Sequence, residues 1–68
     1  MDETITLNDA LKLAGLAQTG GQAKVLIQSG QVKVNGETET RRKRKLRAGD
    51  VIRVGNEEFE LGLEDERA

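Results

Sequence analysis

The sequence predicts an α+β fold, two short helices packed on a small twisted, mainly antiparallel sheet. Three observations carry this expectation. Apolar residues recur at helical spacing as far as Gly30 and alternate from Gln31 onward. Asn35-Gly36 falls between two strand-like stretches, and a type I′ hairpin turn needs positive φ at both positions. The chain has 68 residues and no Cys, His or Pro, so no disulfide or His/Cys zinc site can staple it. One apolar core must hold a single domain. That domain is expected over residues 1–68, with its core in 4–63 and a polar tail at 64–68.

Each element has a local reason. Thr6-Leu7-Asn8-Asp9 has capping-box spacing, with Asp where Glu or Gln is usual. Leu7, Ala10, Leu11 and Ala14 follow at i, i+3, i+4 and i+7, which predicts a helix over 7–14 with one buried face and Gly15 as its stop. Ile5 belongs to an extended segment before it. Thr19-Gly20-Gly21-Gln22 is a second capping box, opening a helix that buries Ala23, Leu26 and Ile27 and stops at Gly30. Lys24 and Gln28 lie one turn apart on its solvent side. Val25 points away from the buried stripe, either as a half-buried edge residue or as part of a partner surface. The two glycines leave first-turn amides uncovered, as an approaching anion would need.

Beyond Gly30 the alternation of Val32, Lys33 and Val34 turns both valines to one face and Lys33 to the other. Residues 37–40 are expected to return antiparallel. Ala48-Gly49-Asp50 reads as a turn, 51–54 as a strand and Gly55-Asn56 as another turn. Phe59, Leu61 and Leu63 alternate as the inward residues of a last strand.

The net charge of −1 hides a segregation. From Lys12 to Arg47 nine bases face two acids, a local charge of +7; from Ala48 onward seven acids face two bases, a local charge of −5. Six of the eleven bases are Arg41, Arg42, Lys43, Arg44, Lys45 and Arg47. A polyanion meets a positive patch, not a neutral protein. No apolar run approaches the length of a membrane span. Met1-Asp2-Glu3-Thr4 is acidic and polar rather than leader-like, so a cytoplasmic protein is expected, and separately a monomer.

Catalysis is not expected. There is no His or Cys, no phosphate-loop glycine motif, and the carboxylates read as exposed and like-charged, away from apolar neighbours that would raise their pKa. No catalytic residue, cofactor or metal is expected. The basic run is the informative feature. A solvated surface segment is the plain account of it, but five consecutive bases repel one another, which solubility alone does not require. The run also lies between a hairpin and Leu46, inside the folded pattern. Polyanion binding is the stronger reading. Phe59 is the only aromatic residue and is expected in the core, so no ring is offered for stacking single-stranded bases. Recognition should rest on phosphates, ribose hydroxyls and the shape of folded RNA.

The ordered set from Thr19 to Asp50 resembles the RNA-binding domain first described in ribosomal protein S4, also called the alpha-L RNA-binding motif. The set comprises Thr19-Gly20-Gly21-Gln22-Ala23-Lys24, Leu26-Ile27, Gly30, Val32-Lys33-Val34-Asn35-Gly36 and Gly49-Asp50. With the first helix it covers about residues 4–54, and the length is similar to that of the short stand-alone bacterial members. The resemblance implies binding of structured RNA, ribosomal or transfer, and association with the ribosome. Its RNA face would be formed by the second helix and the 41–47 segment. Matched position by position, it implies RNA contacts from Gln22, Lys24, Lys33, Arg41, Arg42, Lys43, Arg44, Lys45 and Arg47. Gly20 departs from the family, many members carrying Arg there. An alternative function is a protein–protein module on a ribosome or ribonucleoprotein, using the acidic residues Glu57, Glu58, Glu60, Glu64, Asp65 and Glu66. Exposed throughout, the run predicts that replacing Arg42 and Arg44 hardly changes stability.

Overall fold

The computed structural model describes residues 4–62. Eight elements follow in order: β1 (Ile5–Thr6), α1 (Leu7–Leu13), α2 (Gly20–Gln28), β2 (Val32–Val34), β3 (Glu37–Thr38), β4 (Lys45–Leu46), β5 (Val51–Val54) and β6 (Glu57–Glu60). Four strands form one antiparallel sheet in the order β3-β2-β5-β6, and β1 pairs with β4 in a second, two-stranded ribbon. The architecture is α+β, as the sequence predicts.

Both helices begin where a threonine caps them. The Thr6 hydroxyl accepts the Asp9 N–H at 3.2 Å, and the Thr19 hydroxyl accepts the Gln22 N–H at 3.1 Å. Neither cap is a complete box. The Gln22 Oε1 reaches past Thr19 to accept the Gln18 N–H at 2.8 Å, which ties the loop between the helices to the second one. α1 ends one residue earlier than predicted, and Ala14, its cap, is exposed rather than buried.

One core joins all layers. Leu7, Ala10 and Leu11 come from α1, Ala17 from the connection, Ala23 and Ile27 from α2, Val32 and Val34 from β2, and Leu46, Ile52 and Leu61 from the later strands and their ends. Leu26 and Phe59 pack against it only partly buried. Leu63, expected in the last strand, and the 64–68 tail lie outside the described residues.

The Asn35-Gly36 turn has φ of 53° and 88°, the left-handed pair that a type I′ turn requires. Its asparagine does a second job. The Val51 N–H donates to Asn35 Oδ1 at 2.9 Å, and Asn35 Nδ2 donates to Asp50 Oδ1 at 3.2 Å. Asp50 Oδ2 in turn accepts the Arg47 N–H at 2.9 Å, so its carboxyl pKa is lowered first by that amide and then by Asn35. Asn-Gly and Gly-Asp, 15 residues apart between Asn35 and Asp50, are therefore one structural knot. β3 is shorter than expected: only Glu37 and Thr38 are strand, and Glu39 turns inward.

Candidate nucleic-acid interface

The basic run is a mounted turn. Leu46, its one apolar member, is fully buried, and β4 pairs with β1 in the register Ile5↔Leu46 and Thr6↔Lys45. Just upstream, the Arg44 carbonyl accepts the Leu7 N–H at 2.8 Å and the Arg42 carbonyl accepts the Asn8 N–H at 3.0 Å. A helix start leaves four amides without intrahelical partners. Here the basic run supplies acceptors for the first two, and the Thr6 hydroxyl takes the third. The positive end of α1 is thus spent on holding the turn. A further bond, Arg44 N–H to the Arg41 carbonyl at 3.2 Å, closes it.

Beneath the turn lies a buried carboxylate. The Glu39 N–H donates to the Val32 carbonyl at 2.9 Å, which sets Glu39 across from an inward-facing valine. Its side chain is only 9% exposed. Arg41 donates to it from its backbone N–H and its Nε, both at 3.0 Å, and Arg44 donates from Nη1 at 3.0 Å. The Arg41 side-chain bond, then the Arg41 amide, then Arg44 pull the Glu39 pKa from 4.5 to about 2, against an opposing effect of burial. The same contact raises the Arg41 pKa.

This corrects two expectations. The carboxylates are not all exposed among like charges, because Glu39 sits buried among arginines. Arg44, with its side chain 32% exposed and bound to Glu39, is also not a freely replaceable surface charge. Sequence reasoning missed Glu39 because alternation, counted through residues 37–40, does not reveal that the chain bends under itself after Thr38.

The residues singled out from the sequence fall into separate groups. Residues 41–45 line one open depression of about 810 Å³. Arg42, Lys43 and Lys45 make no ion pair within it among the described residues, whereas Arg41 and Arg44 share Glu39. Lys24 is exposed on α2, four residues on from Gly20 and so on nearly the same side of the helix. Gly20 abuts α1: a Cβ placed on it would stand 3.5 Å from Asn8 Nδ2, and the Asn8 backbone is bonded to Arg42. Gly20 and the turn therefore meet at the start of α1, with Lys24 one helical turn further along α2.

Gln22 is elsewhere. Two residues from Lys24, it points about 160° away around the helix, acts as a cap for Gln18, and lines an apolar groove with Leu16, Thr19, Gly21, Val25 and Leu26. Val25 is 65% exposed there, not half-buried. Lys33 sits on the sheet face turned away from the core, beside Arg53. Arg47 is exposed after β4, its N–H held by Asp50. At the start of α2, Thr19 takes the Gln22 and Ala23 amides, and among the described residues no acceptor meets those of Gly20 and Gly21.

Two helices, a four-stranded sheet joined through an Asn-Gly turn, and a basic turn clamped to the first helix define a small α+β domain that presents a cationic turn. Comparison with known proteins places it further. The family model for the S4 domain matches residues 1–61, and the chain belongs to that family. It is 48% identical over 48 residues to the Escherichia coli (strain K12) protein named "Putative RNA-binding protein YbcJ", covering 71% of this chain and 69% of that one. It is also 48% identical over 52 residues to the Bacillus subtilis (strain 168) "Probable ribosome maturation protein RlbA", covering 76% of this chain and 73% of that one. Among solved structures, 30S ribosomal protein S4e from Thermoplasma acidophilum superposes with a TM-score of 0.72 at 28% identity. That match takes in 100% of this chain but only 36% of the ribosomal protein. No described helix is long and apolar enough to cross a membrane.

Proposed function

We propose that this protein binds structured RNA, ribosomal or transfer, as a non-catalytic cytoplasmic monomer, through the 41–45 turn and Lys24. The turn's mounting carries the reading. Its alternate carbonyls are bonded to α1 and its carboxylate counter-charge is buried below, so the backbone that carries Arg42, Lys43 and Lys45 is already ordered before a ligand arrives. Free solubility needs no such scaffold. The family membership and the names of the two relatives support RNA as the polyanion. Phe59 is partly buried against the core and lines a depression shared with Glu57 and Glu58 rather than with the basic turn, which favours phosphates and shape over base stacking.

The test is fluorescence anisotropy with a folded transfer RNA, a ribosomal RNA hairpin and an unstructured oligonucleotide of matched length, across a range of salt. Lys24, Arg42, Lys43 and Lys45, none of them ion-paired among the described residues, predict log K falling against log salt with a slope at least as steep as roughly −3, and preference for the folded RNAs. A salt-insensitive affinity, or a preference for the unstructured strand, would overturn the proposal. The alternative, an acidic protein-docking surface, has less behind it. Glu57, Glu58 and Glu60 lie on β6, an edge strand, where charged side chains protect against unwanted pairing.

A further inference from the structure

We propose a second phosphate-binding site on the outer face of the sheet, formed by Lys33, Arg53 and Gln31, which takes the backbone of a second segment of the same RNA. The proposal rests on the RNA-binding reading above and extends it to the opposite side of the molecule.

Strand alternation and register create the site. Val32 and Val34 face the core, so Lys33 faces out, and it pairs across β5 with Arg53 and across β3 with Thr38. Arg53 pairs in turn with Glu58 of β6. The outer row is therefore Thr38, Lys33, Arg53, Glu58, all exposed. Two cations directly opposite on adjacent strands repel, and the sheet gains nothing from that arrangement.

Arg53 has a carboxylate neighbour and does not use it. Among the described residues no ion pair joins Arg53 to Glu58; instead its Nε donates to the Gly55 carbonyl at 3.2 Å. That bond leaves both Nη groups for a ligand, and Lys33 has no ion-pair partner among the described residues. Gln31 is positioned as well: its Nε2 donates to Ser29 Oγ at 2.8 Å, which leaves Oε1 as an acceptor for a ribose hydroxyl. Gln31, Lys33, Arg53 and Gly55 line one depression of about 350 Å³. Two cations and a neutral acceptor suit a phosphate with its adjoining ribose.

The site shares no residue with the 41–45 depression. The turn hangs from α1, which packs on the core side of the sheet, whereas Lys33 and Arg53 lie on the other side. Both sites are filled together only by an RNA that folds around the domain.

The experiment measures transfer RNA binding by anisotropy at several salt concentrations for Lys33→Gln/Arg53→Gln, Arg42→Gln/Lys43→Gln and Glu58→Gln. The Lys33/Arg53 variant should bind about tenfold more weakly, with a salt slope flatter by about one to two. Its melting temperature should hold or rise as the like-charge pair is removed. Glu58→Gln supplies a gain that misfolding cannot mimic, and should bind about two- to threefold more tightly. Wild-type affinity and slope in the Lys33/Arg53 variant, with loss in the Arg42/Lys43 variant, would overturn this site and leave the RNA-binding reading intact. No loss in either variant would overturn both. NMR titration of the Arg53 Nε–H with inorganic phosphate and with a poly-glutamate peptide separates the sources. Saturation by either at concentrations where transfer RNA does not shift that signal would assign the site to a free anion or an acidic protein instead.

Discussion

Replacing Glu39 with Gln isolates the buried carboxylate while keeping its shape. Lowering a carboxyl pKa from 4.5 to about 2 corresponds to about 3 kcal/mol of preference for the charged form in the folded state. Arg41 is 76% exposed, so solvent screens much of this, and about 1–2 kcal/mol of stability is expected at neutral pH. In a domain of this size that lowers the melting temperature by roughly 5–15 °C. The sign with pH follows from the direction of the shift. A depressed carboxyl pKa stabilises the fold above the unfolded value of 4.5, and the contribution is lost as pH falls toward about 2. The gap between wild type and Glu39→Gln should thus be constant above about pH 5, narrow between 4.5 and 2, and close below. Thermal melts by circular dichroism at matched ionic strength measure it. An equal melting temperature at pH 7, or a gap that persists undiminished at pH 2, would refute the account of Glu39 as a charged keystone.

Substitutions at five other positions test neighbouring parts of the structure. Arg42→Ala should weaken RNA binding and flatten the salt slope by about one unit with an unchanged melting temperature, whereas Arg44→Ala should also lower the melting temperature because it strips a donor from Glu39. Asn35→Gly keeps the left-handed turn but loses the bonds to Val51 and Asp50, so it should cost roughly 1–2 kcal/mol in urea denaturation, and Asn35→Ala more, since it also strains φ. Leu46→Ala removes the fully buried anchor of the basic turn and should cost about 2–5 kcal/mol, read from the denaturation midpoint. Gly20→Arg has room for its Cβ beside Asn8 and no positive φ to strain, so it should fold as well as wild type and bind transfer RNA with a slope steeper by about 0.9.

Much of this molecule was legible in local chemistry. Thr6 and Thr19 mark helix starts because a hydroxyl at that position satisfies an amide two or three residues on, and Asn35-Gly36 marks a turn because few residue pairs tolerate positive φ. The switch from helical spacing to alternation at Gly30 separated helices from sheet. Leu46, one apolar residue among six bases, pointed to a run tethered to the core, and it is fully buried.

Other features depend on which distant segments meet, and no local pattern encodes that. Gln22 and Lys24 are neighbours in sequence yet face opposite ways on α2, because a helix turns 100° per residue. Lys33 joins Arg53 only because β2 and β5 pair in a particular register. The basic segment reads as five repelling charges until Glu39 is seen buried against two of them, and as a loop until its carbonyls are seen closing the start of α1. Hydrogen-bonding and conformational preferences act over a few residues and are written along the chain. Burial of a charge, pairing across a sheet and the grouping of cations into sites arise from contacts between residues far apart in sequence, so they exist only once the chain has folded.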